Sequence, residues 1–261
     1  MSAVTATRTT ARTAAGAPPI RIAGVGRTFG GPAGTVALEH VDLVVEEREF
    51  VCLLGASGCG KSTLLSLIAD LDVPTTGTID LGGRRTAVMF QDANLFPWLT
   101  VAGNIELALR FSGVPKAEWK RRVAELLDVV RLPGAERRRP HELSGGMRQR
   151  VALARSLAQD AEVLLMDEPF AALDAITRDA LHRELERIAG ERGLTVIFVT
   201  HNVREAVRLG DRVIVMKPSP GRIVREERVP LPRPRRMEDP EVARRAGELH
   251  DELDLQAGGG R

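Results

Sequence analysis

Short apolar runs bounded by polar residues recur along this chain: Phe50-Val-Cys-Leu-Leu54, Val163-Leu-Leu-Met166, Thr195-Val-Ile-Phe-Val199 and Arg212-Val-Ile-Val-Met216. Continuous runs of this length, without alternation, predict strands buried on both faces. Between them the apolar positions fall at helical spacing. The segment 62–71 carries Leu64, Leu65 and Ile68 on one side, and segments 176–189 and 203–209 separate the later strands. Strand–helix alternation predicts an α/β fold with a parallel sheet covered on both faces. Nearer the start, segments 20–29 and 38–45 read as strands joined by a turn at Gly30-Gly31-Pro32. Segments 78–81 and 86–90 read as two more.

The stretch 92–159 differs in character. Phe111 and Gly113-Val-Pro115 punctuate two helical patterns, and Trp119, Val123, Leu126, Leu127 and Val130 recur at three- to four-residue spacing. This predicts a helical insert. Segment 239–254 is a charged helical candidate, Gly258-Gly-Gly260 a loose end, and no internal repeat is visible.

Composition narrows the class. With 261 residues, 43% apolar and 28% charged, the chain has the make-up of a soluble globular protein. A formal charge of +2 without a long single-sign run argues against nucleic acid as a partner. No stretch approaches the roughly 18 apolar residues of a membrane span, so work at a membrane would need another polypeptide to do the spanning. Cys52 and Cys59 have no zinc-site spacing and cannot form a disulfide framework; they read as small buried or loop residues in a reducing compartment. Tyrosine is absent and Trp98 and Trp119 are the two tryptophans, so aromatic ligand contacts must come from Phe or Trp. Residues 1–18 are rich in Ala, Thr and Arg and lack acidic residues, as transit peptides do; without an apolar h-region they read as a disordered tail on a cytosolic protein.

The chemistry begins at Gly55-Ala-Ser-Gly-Cys-Gly-Lys-Ser-Thr63, which follows one predicted strand and opens a helix. That context makes it a phosphate-binding loop (P-loop). Its glycines let backbone N–H groups turn inward around phosphate, and the helix N-terminus adds partial positive charge. Lys61 would reach the β- and γ-phosphates of a nucleotide and Ser62 would ligate Mg²⁺. Asp167 ends an apolar strand, where a carboxylate emerges at the sheet edge beside the loop and suits a magnesium-holding acid. Glu168, next in sequence, is the candidate base for an attacking water. Ser144 is a natural N-cap ahead of a helical pattern, and Gly145 and Gly146 permit close approach of backbone to an anion.

These pieces occur in a set order: the P-loop, Leu143-Ser-Gly-Gly-Met-Arg-Gln-Arg150, Asp167-Glu168, then His201 after another strand. In that order, from about residue 20 to 229, the chain resembles the ATPase subunit of an ATP-binding cassette (ABC) transporter. The resemblance implies a P-loop ATPase core with a parallel sheet, an N-terminal antiparallel β-subdomain and an inserted helical subdomain. It places the ATPase domain at 19–231, with the insert at about 92–159, and a C-terminal helical extension and tail at 232–261. It implies ATP and Mg²⁺ as cofactors and a dimer in which Ser144-Gly-Gly146 completes the partner's ATP site. His201 would face the γ-phosphate. Gln91 would touch Mg²⁺ or the attacking water and report nucleotide state to the insert. Phe29 would stack on adenine, its alternative being a core Phe at a strand end. Ala172-Leu-Asp174 would cross the dimer interface. His40, His141, His182 and His250 have no such context and read as packed or solvated side chains. Arg48 and Asp70 stand where relatives usually carry Gly, which puts turn geometry in question rather than chemistry.

Asn94-Leu-Phe-Pro-Trp-Leu-Thr100, the run Pro169-Phe-Ala-Ala-Leu-Asp-Ala-Ile-Thr-Arg178 and Pro220-Gly221 look like the nitrate/sulfonate/taurine branch of importer ATPases. That implies integral-membrane permease subunits, an indirect link to a periplasmic or extracellular substrate-binding protein, and a place on the cytoplasmic face of the membrane. Leu95, Phe96, Pro97 and Trp98 would form the groove for a permease coupling helix; the alternative is packing within the insert. An importer of a thiamine precursor shares these features. A soluble cassette ATPase of translation or DNA repair is the other class, but the second cassette or long insertions typical of those proteins are not seen.

Overall fold

The computed structural model describes residues 20–31 and 34–258. The tail expected at 1–18, Pro32 of the expected turn and the end of the Gly258-Gly-Gly260 stretch lie outside the described residues.

The apolar runs do form a sheet. Strands β3 (Phe50–Leu54), β6 (Val163–Asp167), β7 (Thr195–Thr200) and β8 (Arg212–Lys217) join β5 (Thr86–Met89) and β9 (Arg222–Arg228) in the order β5-β6-β7-β3-β8-β9. All neighbours pair in parallel except β9, which runs antiparallel to β8 along the edge. The parallel sheet expected from the alternation is thus present, with one antiparallel strand added at its edge. The sequence pattern passed over β9 because Arg222, Arg225, Glu226, Glu227 and Arg228 leave it without an apolar run, as suits a strand covered on one side only.

Alternate residues of the inner strands feed two cores. Phe50, Cys52 and Leu54 of β3, with Leu164, Met166, Val196 and Phe198, face the larger helical layer. Val51, Leu53, Val163, Leu165, Ile197 and Val199 face helix α1 (Lys61–Ile68) and the second sheet. That second sheet is antiparallel, in the order β2-β1-β4, from β1 (Ile20–Phe29), β2 (Thr35–Val45) and β4 (Thr76–Asp80). Two-sided burial is why these strands read as unbroken apolar runs.

The insert is helical as its spacing predicts: α2 (Val101–Phe111), α3 (Trp119–Val129) and α4 (Gly145–Leu157). Val123, Leu126, Leu127 and Val130 are buried, and Trp119 packs against them with its Nε1–H donating to the Val114 carbonyl at 2.8 Å. Helix α5 (Ala175–Arg192) and α6 (Val203–Leu209) follow β6 and β7, and α7 (Pro240–Gly258) packs against α6.

Helix α1 ends three residues before the expected Leu71. Its last turn closes with Leu71 N–H donating to Ser66 O at 2.9 Å and Asp70 N–H to Leu67 O at 3.2 Å, a Schellman closure with Asp70 at φ +59°. Arg48 also lies in the left-handed region, at φ +62°. Both turns are thus built in the conformation that favours glycine, although neither residue is one. Asp70 is exposed, so Asp70→Gly should stabilise the fold by about 1 kcal/mol, offset in part by the extra chain freedom of Gly. Chemical denaturation of the two proteins measures it; an unchanged or lower midpoint would refute the strain assigned to this turn.

Candidate active site

Four consecutive strands, β5-β6-β7-β3, release their chains at the same edge of the sheet, and each delivers expected residues or a loop there. After β3 comes the P-loop. Gly55 cannot carry a side chain, because a Cβ there would lie 2.4 Å from the Met216 carbonyl. Gly60, at φ +90°, caps α1 in a conformation only glycine adopts freely, and a Cβ would meet Leu38 at 2.5 Å. Between them lie Ala56, Ser57, Gly58 (φ +79°) and Cys59, the last fully buried beneath the loop. Lys61 is 5% exposed, and its ammonium donates to the carbonyls of Gly55 and Ala56 at 2.8 and 2.9 Å. Ser62 and Thr63 continue into the first turn of α1.

Asp167, the last residue of β6, accepts a hydrogen bond from Ser62 Oγ at 3.0 Å. Burial pushes its carboxyl up and Glu168 adds to this, while the Ser62 bond and the Lys61 charge pull the other way; the outcome is a raised value. Among the described residues no cluster of three or more His, Cys, Asp or Glu could hold a metal alone. One carboxylate and one hydroxyl are instead the kind of partial set that Mg²⁺ uses when phosphates and water supply the rest.

Glu168 follows directly, at φ +43°, with its N–H donating to the Val199 carbonyl of β7 at 3.1 Å. A non-glycine residue held at positive φ beside a cleft is stored strain of the sort found at functional sites. Its Oε2 lies 2.8 Å from Nδ1 of His201, the first residue past β7. Gln91, beyond β5, is exposed, and its carbonyl accepts from Gln149 Nε2 of α4 at 2.7 Å. Phe29 is 45% exposed at the end of β1, with the Arg27 guanidinium 4.6 Å from its ring centroid, so it is not a core residue.

Ser144 caps α4, its Oγ accepting from Met147 N–H at 3.3 Å, and it is exposed. The atoms nearest to a Cβ on Gly145 and Gly146 belong to Leu173 and Thr177, beside the Ala172-Leu-Asp174 segment. Helix α4 also grips the segment after β5. Besides the Gln149 bond, Arg155 donates to the carbonyls of Ala93 and Asn94 at 2.8 and 2.7 Å. On α2, buried Asn104 accepts from Phe96 N–H at 2.8 Å. The apolar run there divides. Leu95 packs on the core, whereas Trp98 is 69% exposed, its ring 5.4 Å from that of Phe96. Packing inside the insert therefore accounts for Leu95 and not for Trp98.

Sequence reasoning missed Gln149 and Arg155, polar residues on a helix with nothing in their spacing to mark long-range bonds. It also missed Glu205 and His182, which lie behind His201. The cap pattern Asn202-x-x-Glu205 was the one signal available for Glu205.

Residues 38–171 match the family described as ABC transporter. The nitrate import ATP-binding protein NrtD of Synechocystis sp. is 46% identical over 221 residues, 82% of this chain and 83% of the relative. The aliphatic sulfonates import ATP-binding protein SsuB 1 of Rhodococcus jostii is 45% identical over 241 residues, 90% and 93% of the two chains. Among solved structures, the dimeric post-hydrolysis state of the ATP-binding cassette MJ0796 bound to ADP and Pi superposes with a TM-score of 0.71. It is 34% identical, covering 80% of this chain and 98% of the other.

Proposed function

The chain belongs to the ABC transporter family, and from that premise we propose that it energises uptake of a small anion, of the nitrate or sulfonate kind, through separate permease subunits. ATP binding and hydrolysis come with the family; the division of labour among residues is our reading. The observation that carries it is the convergence at one sheet edge of Lys61, the Ser62–Asp167 contact at 3.0 Å and the Glu168–His201 contact at 2.8 Å.

Lys61, with the loop N–H groups, binds and orients the β- and γ-phosphates. Ser62 and Asp167, joined by Gln91, would hold Mg²⁺, which would neutralise charge building on the phosphate oxygens. Glu168 accepts the proton of the water that attacks the γ-phosphorus as the bond to the bridging oxygen of ADP breaks. His201 holds the Glu168 carboxylate and faces the transferred phosphoryl group. Phe29 stacks on the adenine. Ser144, Gly145 and Gly146 present the N-terminus of α4 to the γ-phosphate bound by a second copy, so hydrolysis needs two chains.

No helix among the described residues is long and apolar enough to cross a membrane. The permease is then the anchor, at the cytoplasmic face, and Trp98 its contact. An exposed tryptophan beside a segment tied to α4 by Gln149 and Arg155 is suited to pass nucleotide state outward. Trp98→Ala should keep MgATP binding and weaken permease assembly by about 2 kcal/mol or more, the usual cost of truncating an aromatic anchor. Co-purification of chain and permease, followed by ATP-driven uptake of nitrate, sulfonates and taurine into vesicles, tests both the function and this residue. Assembly and transport at wild-type levels would take Trp98 out of the contact; failure of all small anions would overturn the substrate class.

A further inference from the structure

Behind His201 lies a small cavity of about 70 Å³ whose lining includes Glu168, Arg178, Thr200, Asn202 and Glu205. Glu205 is 7% exposed. In an ordinary Asn-x-x-Glu cap the Glu carboxylate reaches back to the Asn N–H and stays near solvent. Here only half of that box is made: Asn202 Oδ1 accepts from Glu205 N–H at 3.2 Å. The Asn202 N–H donates instead to Thr200 Oγ1 at 2.9 Å, and the Thr200 hydroxyl donates to Glu205 Oε2.

The carboxylate is thus turned inward, and its other oxygen meets His182 Nε2 at 2.6 Å. His182 is 1% exposed, with its ring 5.6 Å from Phe170 and 6.4 Å from Phe198. Arg208 Nη1 lies 2.8 Å from His182 Nδ1 and 2.7 Å from Asp179. A guanidinium only donates, so Nδ1 accepts and the ring is neutral with its hydrogen on Nε2, pointing at Glu205. Burial pushes the Glu205 carboxyl up, but the bonds donated by His182 and Thr200, with the Arg178 charge, hold it below the usual range. A helix cap alone calls for none of this, since burying a carboxylate is costly unless it is fully paired.

We propose that Glu205, braced by His182, is a positioning residue for hydrolysis: through the Thr200 hydroxyl it fixes the Thr200–Asn202 turn and so keeps His201 in register with Glu168. The proposal rests on the roles given above to His201 and Glu168. His201 sits between the two residues whose backbone and hydroxyl groups this network ties, and its own side chain is 59% exposed and bonded through Nδ1 to Glu168.

The test uses the full-length chain assembled with its permease, with MgATP affinity and turnover measured separately. Glu205→Gln and Thr200→Val should bind MgATP like the wild type and lose ~10- to 100-fold in kcat, the scale of a misplaced reacting group. Thr200→Ser restores the hydroxyl and should regain most of the turnover lost by Thr200→Val. In a His201→Ala background neither Glu205→Gln nor Thr200→Val should lower kcat further, since coupled residues are not additive. Equal losses in both backgrounds, or wild-type turnover in a folded Glu205→Gln or Thr200→Val protein, would overturn the proposal. Should Glu205→Gln not fold, the Thr200 pair decides alone. Normal hydrolysis by His201→Ala itself would remove the role of His201, and the proposal with it. A His201→Ala loss without a Glu205 or Thr200 effect would overturn the proposal only.

Discussion

Glu168→Gln is expected to bind MgATP, lose roughly 10²–10⁴-fold of its turnover, and accumulate as a nucleotide-bound dimer, since general-base catalysis is of that size. The substitution keeps the side chain's shape and its reach to His201, now 2.8 Å away, and removes the capacity to take a proton. Asp167 is the other carboxylate at this edge, but Ser62 already engages it at 3.0 Å, and its place beside the P-loop suits charge pairing with a cation better than proton abstraction. Turnover of the permease-assembled variant, with size-exclusion chromatography in MgATP, provides the check. Hydrolysis near the wild-type rate would remove Glu168 from this role.

Ser144→Arg is expected to leave MgATP binding to the single chain intact and to reduce hydrolysis by about 10²-fold or more, the scale on which lost donors to a reacting phosphate or oxyanion act. The fold should survive, because losing a helix cap costs about 1 kcal/mol. Ser144 is exposed at the start of α4, and Gly145 and Gly146 lie against Leu173 and Thr177, at a distance in the chain and in contacts from Lys61. Mixing Ser144→Arg with Lys61→Ala pairs one sound P-loop with one sound Ser-Gly-Gly segment in each heterodimer. The mixture should therefore hydrolyse more ATP than either variant alone. If Ser144→Arg by itself turned over ATP normally in its transport complex, the shared site would be wrong.

Much of this protein could be read from near neighbours along the chain. Strand β1, strand β3 and helix α6 lie where periodicity places them, because apolar spacing and caps are local properties. The P-loop declared itself because strand, glycines, Lys61 and helix are contiguous. The turns at Arg48 and Asp70 were marked by the family resemblance alone, as departures from its usual Gly, and the fold builds both at positive φ. Strand β9 was not legible, since an edge strand shielded on one side has no continuous apolar run. What only the tertiary structure decided is adjacency. Residues 50–54 pair with 195–200, and those with 163–167, so Lys61, Asp167, Glu168 and His201 meet although more than a hundred positions separate the first from the others. Adjacency likewise left Trp98 outside while Leu95 went in, and made His182, an unremarkable histidine in sequence, the brace of Glu205. Pairings of this kind depend on which buried faces pack together across the whole sheet, and no window of local sequence contains that information.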